Sequence, residues 1–364
     1  MVNQAAAAGA ATFGIDPTDD LVLLSQPAGR PGYGENFAFW IFATDGSVYI
    51  NTHMNSVDSF WPVRRETISL CLPDGRAFVE MNEGWRVAGD SVGAAGLVMT
   101  CVEPMKRWRL EFKGTLRETS QAALAAGPLP DGSGRRTLLD WDAEIYCDGP
   151  ILRQGGTAAT WRSMNESAAA RYIGGDRYEQ LFRADVRLRV PGEPELRFAA
   201  TGTRTHRRGE RNVAGYAGHD WQSARFPNGD GFTLMRFRRP DGGLEWDEAY
   251  LVSAGRVVPA SIESDNWITR RQASGDRLIV RLRSELGDSE ISGVVAGSIF
   301  RSMNTSPGNP LIARHGVFGR RFGFESEPPG MLGMQQACVR YTMAGQSTFG
   351  MAERSNFVDQ FDPQ

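Results

Sequence analysis

Lysine is nearly absent from this chain of 364 residues. It occurs only at Lys106 and Lys113, and the other basic residues are arginine, a bias that reflects GC-rich bacterial coding and carries no functional meaning. Histidine occurs four times, at His53, His206, His219 and His315. No H-x-x-x-H spacing appears among them, so no metal is expected. Cysteine is equally sparse: Cys71, Cys101, Cys147 and Cys338 lie far apart with no C-x-x-C pair. Four reduced thiols in a cytoplasmic protein are the expectation. No apolar run approaches the ~20 residues of a membrane helix, so no membrane span is expected. The alanine-rich residues 5–12 are uncharged and only weakly apolar, unlike a secretory signal. There is no G-x-S-x-G nucleophile elbow and no G-x-x-x-x-G-K phosphate loop. The glycines at 93–96 lack a following helix, so they do not read as a dinucleotide loop. A net charge of -3 supplies no basic field, which argues against nucleic acid as a partner.

Turn residues are abundant: 42 glycines and 19 prolines, spread along the whole chain. Between them the dominant period is two. Over residues 106–116, Trp108, Leu110, Phe112, Gly114 and Leu116 alternate with Arg107, Arg109, Glu111, Lys113 and Thr115. Over 178–190, Tyr178, Phe182, Ala184, Val186, Leu188 and Val190 share one face, and Glu179, Arg183, Asp185, Arg187 and Arg189 the other. Such alternation marks antiparallel strands with a dry and a wet face. Turns fall at Pro73-Asp74-Gly75, Pro227-Asn228-Gly229, Asp241-Gly242-Gly243 and Ala344-Gly345-Gln346. Short helices are expected only over 119–126 and 163–170. The length suits two domains, with the break expected at the glycines near 172–176. The spacing predicts an all-β protein of two halves, 1–172 and 173–364, each a barrel or a sandwich.

Several short motifs then acquire meaning. Gly34-Glu35-Asn36-Phe37-Ala38-Phe39-Trp40 resembles the opening strand of the carotenoid 1,2-hydratase (hydroxyneurosporene synthase) superfamily. Leu72-Pro73-Asp74-Gly75 resembles the following hairpin of its bacterial relatives. Gly202-Thr203-Arg204-Thr205-His206-Arg207-Arg208-Gly209 resembles their motif Gly-x-x-Asp-His-x-Trp-Gly, with Thr205 in place of the Asp and Arg208 in place of the Trp. The stretch ending Phe349-Gly350-Met351-Ala352-Glu353 resembles their closing hairpin. The resemblance implies two lipocalin-like antiparallel barrels packed together. It also implies chemistry on isoprenoids or other apolar molecules, adding water or cyclising without a metal or organic cofactor. The two departures in the second motif mean that the hydratase mechanism does not transfer directly.

Ionisable residues on apolar strand faces are the candidates for chemistry, because desolvation tunes them toward proton transfer. Extending Leu196, Phe198, Ala200 and Gly202 by twos reaches Arg204 and His206, which read as a cluster polarising a substrate oxygen or as a structural pair with a nearby carboxylate. Glu248 interrupts the stripe Leu244, Trp246, Tyr250 and Val252, and could protonate an alkene beside aromatic faces or pair with Arg204 or Arg236. Gly218-His219-Asp220-Trp221 is the densest group, although His219 and Asp220 point to opposite faces if the segment is a strand. Glu353 shares a face with Phe349 and Met351, as a second acid or as the partner of an inward arginine. His53 shares one with Tyr49, Asn51 and Asn55, which is either a wet outer face or a cavity lining. The catalytic candidates are therefore Glu248, Asp220, His206 and His219, with Arg204, Trp221, Trp246, Tyr250, Glu353 and His53 binding substrate. They suit a cofactor-independent hydratase, isomerase or cyclase acting on a hydrophobic terpenoid- or polyketide-like molecule. The alternative is a lipocalin-like carrier of an apolar ligand. A homodimer is compatible with either. The candidates fall mostly after Arg204, which points to the second half or the seam between halves.

Overall fold

The alternating pattern resolves into twenty strands and three short α-helices among the described residues. The computed structural model describes residues 15–30, 32–56, 61–87, 91–130, 133–304, 321–323 and 331–362. His315 and the alanine-rich start lie outside them. In chain order come β1 (Tyr33–Ala43), β2 (Tyr49–Ser56), β3 (Val63–Cys71), β4 (Arg76–Trp85), β5 (Ser91–Ala94), β6 (Leu97–Glu103), β7 (Arg107–Ser120), β8 (Arg136–Tyr146), β9 (Ile151–Arg153), β10 (Asp176–Arg189) and β11 (Leu196–Glu210). The remainder are β12 (His219–Arg225), β13 (Gly231–Arg238), β14 (Leu244–Ser253), β15 (Arg256–Ile262), β16 (Arg277–Ser284), β17 (Gly287–Asn304), β18 (Arg321–Phe322), β19 (Met331–Met343) and β20 (Gln346–Phe357). None of the helices described is long and apolar enough to cross a membrane.

Two closed antiparallel barrels result. The first ring runs β1, β11, β10, β8, β7, β4, β3, β2 and back to β1. The second runs β12, β13, β14, β15, β16, β17, β19, β20 and back to β12. Closure leaves no unpaired edge in either ring. The change of barrel does not fall at the expected 172/173 division. β11 pairs with β1 from Tyr33↔Glu210 to Ala43↔Ala200, and without β10 and β11 the first ring would be open. The chain enters the second barrel only between Glu210 and His219, so the glycines at 174 and 175 form a turn within the first.

Local sequence explains the helices. α1 (Gln121–Ala126) starts two residues later than expected, because Ser120 caps it, its Oγ accepting the Ala123 N–H at 3.1 Å. The stretch expected to be one helix is two. α2 (Ala158–Asn165) opens on a Thr157–Thr160 capping box, and α3 (Ala169–Ile173) ends on left-handed Gly174. At the Leu72 to Arg76 hairpin, Gly75 takes φ +88° and its N–H returns to the Leu72 carbonyl at 3.1 Å.

Apolar side chains divide into three layers. Phe37, Phe39, Trp108, Leu110 and Phe182 fill the first barrel, and Phe232, Leu234, Leu251, Val280 and Tyr341 the second. A third cluster joins outward-facing Ala38, Trp40 and Phe42 of β1 to outward-facing Trp221, Met235, Phe237 and Trp246 of the second barrel. This seam explains why β1 is apolar at every position from Phe37 to Ala43: both of its faces are buried. Gly202 shows how tightly the wall is built. A Cβ there would lie 2.0 Å from the Trp40 carbonyl oxygen and 2.4 Å from the Phe182 ring. Gly202→Ala is expected to cost at least about 1–3 kcal/mol by overpacking, read as a lower urea midpoint; an unchanged midpoint would contradict this packing.

Candidate functional site

Strand parity decides which candidates meet. On β11, Arg204 and His206 point into the first barrel, as their alternation with Ala200 predicts. They meet there a short 3₁₀ turn, Pro17–Asp20, whose Asp20 is fully buried. Arg204 Nη1 and Nη2 donate to the two Asp20 carboxylate oxygens at 2.7 and 3.1 Å, and its Nε donates to Gln180 Oε1 at 3.0 Å. Met105 N–H and Trp108 Nε1 donate to the same carboxylate at 2.6 and 3.0 Å, and the Tyr178 hydroxyl joins them. His206 Nε2 lies 3.1 Å from Glu35 Oε1 and its Nδ1 3.1 Å from the Tyr178 hydroxyl. Arg208 Nε donates to Glu35 at 3.0 Å. Glu35 from the opening motif and His206 and Arg208 from the second motif thus form one satisfied network. Arg204 and His206 each have a carboxylate partner, Asp20 and Glu35.

Asp220 and His219 separate, as a strand requires. Asp220 points into the second barrel, where Gln222 Nε2 donates to its two oxygens at 2.8 and 3.1 Å. Burial pushes its carboxyl up to about 6, against the pull of the Arg354 charge. The stripe on β14 is buried from Trp246 to Val252 but exposed at Leu244, and it is the outer wall of the second barrel. Glu248 accepts the Gly155 and Gly156 N–H groups at 3.0 and 3.3 Å and the Tyr250 hydroxyl. Neither Arg204 nor Arg236 is its partner. Burial raises its pKa, with the Tyr250 and glycine hydrogen bonds opposing. Trp246 stacks on Phe237 with ring centroids 5.9 Å apart. Glu248 and Tyr250 therefore hold the second barrel against the loop before α2.

His219, Trp221, Glu353 and His53 do converge. They line a small chamber at the seam of the two barrels, with Trp40, Met235, Phe237, Met303 and Gln336. Exposed Gly32 and half-buried Asn36, Asn55 and Arg65 also line it. His219 Nε2 lies 3.1 Å from Glu353 Oε1, its Nδ1 2.6 Å from Ser355 Oγ, and Gln336 Nε2 donates to Glu353 Oε2 at 2.6 Å. Burial alone would raise the Glu353 carboxyl, yet the hydrogen bond and charge of His219, with His53 and Gln336, hold it down to about 2. His53 has no hydrogen-bond partner at Nε2 among the described residues. Its ring meets Trp40 edge-to-face at 4.9 Å, and Trp40 meets Trp221 the same way at 4.6 Å. Burial lowers the His53 pKa to about 4, with Glu353 opposing and Arg301, Arg177 and Arg211 assisting. At neutral pH it is an uncharged base. The polar face Tyr49, Asn51, His53 and Asn55 is the outside of the first barrel, kept from bulk water by the second.

Sequence reasoning missed the chamber's arginines. Arg65, Arg177, Arg207, Arg211 and Arg301 all line it. Arg177 stacks over the Trp221 ring at 4.3 Å and lies 3.4 Å from Glu179. On β11, Arg207 is on the opposite face from Arg204 and His206, so a search along apolar barrel-facing positions passes over it. The one signal available was β1, whose unbroken apolar run announces a second buried face and hence a seam.

No protein-family profile matches the chain, and no curated protein matches it. Solved structures do. An AttH protein of Nitrosomonas europaea superimposes with TM-score 0.52 at 14% identity, covering 89% of this chain and 92% of that one. Kievitone hydratase of Nectria haematococca gives 0.47 at 11% identity over 94% and 92%. CghA with Sch210972 gives 0.49 at 12% identity over 89% and 88%. What the chain shares with the AttH protein is a fold, the lipocalin-like pair of antiparallel barrels.

Proposed function

We propose that the seam chamber is the active site of an acid–base enzyme of hydratase, isomerase or cyclase type, acting on a hydrophobic small molecule without a cofactor. The observation that carries this reading is the unpartnered His53 Nε2, a neutral base buried beside an ionised Glu353. In a hydration, His53 takes a proton from water as the water oxygen bonds one carbon of a conjugated alkene. The electron pair of the double bond moves onto the conjugated oxygen. The imidazolium, stabilised by Glu353, then returns a proton to the other carbon, so water adds across the bond with no net proton change. Guanidinium groups in the wall stabilise the intermediate oxyanion. His219 and Gln336 position Glu353. Trp40, Trp221 and Phe237 exclude water from the apolar part of the substrate.

The test is water addition to 4-phenylbut-3-en-2-one in D₂O, followed by mass spectrometry for deuterium at the carbon next to the carbonyl. Acceleration of about 100-fold or more over buffer is expected, the range of general acid–base catalysis. His53→Asn should abolish it, Glu353→Gln should reduce it strongly, and Glu248→Gln should leave it intact because Glu248 lies outside the chamber. Wild-type protein that binds the ketone without exchanging it, or an equal loss in Glu248→Gln, would favour the carrier reading instead.

A further inference from the structure

Two nitrogens of the chamber wall have no hydrogen-bond partner among the described residues, Nε2 of His53 and Nε1 of Trp40. They belong to diagonal neighbours on one face of the first barrel. β2 pairs with β1 so that His53 lies across from Ala38 and Asn51 across from Trp40, and the two rings meet edge-to-face. Other polar groups beside them are engaged. Trp221 Nε1 donates to Glu179 Oε2 at 3.1 Å, and His219 and Gln336 are bonded to Glu353. Trp40 is 1% exposed, and an indole N–H can only donate. A buried donor without an acceptor is costly. Phe42, two positions along the same face, shows that this wall is filled as well by a ring with no polar atom. The rest of the lining includes Met81, Met303 and Met334, whose thioether chains adapt to an apolar body.

We propose that the chamber binds a neutral ketone carrying a hydroxyl two carbons away, a β-hydroxy ketone, its carbonyl oxygen accepting from Trp40 Nε1 and its hydroxyl donating to His53 Nε2. Trp40 requires an acceptor because its indole has no lone pair to offer. His53, acting as a base with its proton on Nδ1, requires a donor. A ligand that satisfies both presents one oxygen of each kind on neighbouring parts of its skeleton, since the two ring centroids are 4.9 Å apart. Oxygens on alternate carbons meet that condition, whereas a hydrocarbon meets neither half. A β-hydroxy ketone is what water addition to a conjugated ketone forms, and the same two contacts hold the ketone and the incoming water beforehand. As the electron pair of the double bond moves onto the carbonyl oxygen, the hydrogen bond from Trp40 strengthens, which makes Trp40 one of the groups that stabilise the transition state. This names the substrate class of the reading above and rests on that reading in taking His53 Nε2 as the base.

Equilibrium binding tests the inference apart from turnover. The probes are 4-phenylbutan-2-one, 1-phenylbutan-1-ol and butylbenzene, one skeleton with the carbonyl alone, the hydroxyl alone or neither, and none of them can gain or lose water in the proposed reaction. Calorimetric titration of the wild-type protein should show the ketone and the alcohol each binding about threefold to tenfold tighter than the hydrocarbon, the worth of one neutral hydrogen bond. In Trp40→Phe, checked for folding by circular dichroism, the preference for the ketone should vanish and that for the alcohol remain. In His53→Leu the reverse is expected. If Trp40→Phe does not fold, wild-type protein labelled with ¹⁵N in its tryptophans decides the matter: the ketone should move one indole N–H proton resonance downfield, and butylbenzene should not. A ketone that binds no tighter than the hydrocarbon, a ketone preference that survives in Trp40→Phe, or indole resonances that ignore the ketone overturns the inference. Ketone-selective binding that depends on Trp40, without deuterium exchange, would sink the catalytic reading and leave this contact standing; exchange without preference for the ketone does the reverse.

Discussion

Arg204→Met is expected to lower the free energy of unfolding by about 3–5 kcal/mol, the cost of stranding a buried charge. Arg204 and Asp20 have no exposed side-chain surface and are joined by two parallel hydrogen bonds. Met fills much of the volume of the arginine stem, so the loss is electrostatic. Asp20 would keep Met105 N–H, Trp108 Nε1 and the Tyr178 hydroxyl but lose the guanidinium bonded to it. It could regain neutrality by taking up a proton, which sets an upper limit on the cost. The double variant Asp20→Asn/Arg204→Met removes both charges and keeps one acceptor oxygen for those donors. It should therefore be less destabilised than the sum of the single variants, a coupling of more than about 1 kcal/mol in a double-mutant cycle. Urea unfolding followed by tryptophan fluorescence reads all four proteins. A loss below about 1 kcal/mol for Arg204→Met would mean the pair is as dispensable as a surface bridge. The chamber lies on the opposite face of β11, so Arg204→Met leaves its lining unchanged.

Strand periodicity made the walls of this protein legible. Trp108, Phe182 and Leu188 on one face, Arg187 and Arg189 on the other, follow from a period of two alone. What periodicity cannot supply is which closed ring a dry face looks into. Trp246, Glu248 and Tyr250 form a buried stripe, as expected, but they face the other half of the molecule and not the interior of their own barrel. His53 shows the same ambiguity from the polar side: Tyr49, Asn51 and Asn55 beside it resemble a wet face, and only the packing of the second barrel makes that face the lining of a chamber. The 172/173 division failed for a related reason. The strand that closes the first ring comes after all the others of that ring, and long-range pairing of β11 with β1 has no local signature. Asp20 was invisible because it sits in a turn with no alternation, and its importance comes wholly from partners far along the chain. Among the site candidates, His219, Trp221, Glu353 and His53 come together, whereas Arg204 and His206 share one network through Asp20 and Tyr178, and Asp220 and Glu248 each belong to another.

Acid titration of stability should show a flat region followed by a steep fall, because buried groups with raised and lowered pKa values pull in opposite directions, His53 and Asp220 foremost among them above pH 4. The His53 pKa moves from its ordinary 6.5 down to about 4. Below 6.5 the unfolded state takes up a proton that the folded state refuses, so stability falls as pH drops from 6.5 to 4. Asp220 moves from 3.8 up to about 6. Here the folded state binds the proton first, so stability rises as pH drops from 6 to 3.8. Each shift is worth about 1–3 kcal/mol, the lower figure allowing for solvent reaching His53 through the chamber. Across this window the two nearly cancel. Below it, Glu353 and Asp20 dominate, moving from 4.5 and 3.8 respectively down to about 2. Both contribute stability above their ordinary values that disappears as pH falls toward 2, together on the order of 5 kcal/mol. Single variants separate the opposing pair. His53→Asn should leave the Asp220 effect exposed, so that stability climbs as pH falls from 6 to 4. Asp220→Asn keeps an acceptor for Gln222 and should leave the His53 effect exposed, so that stability declines over the same range. Urea unfolding at a series of pH values measures the three slopes. Parallel curves for wild type and both variants between pH 4 and 6 would show that neither group titrates as its burial requires. A wild-type slope matching that of either variant would show that one member of the pair is silent.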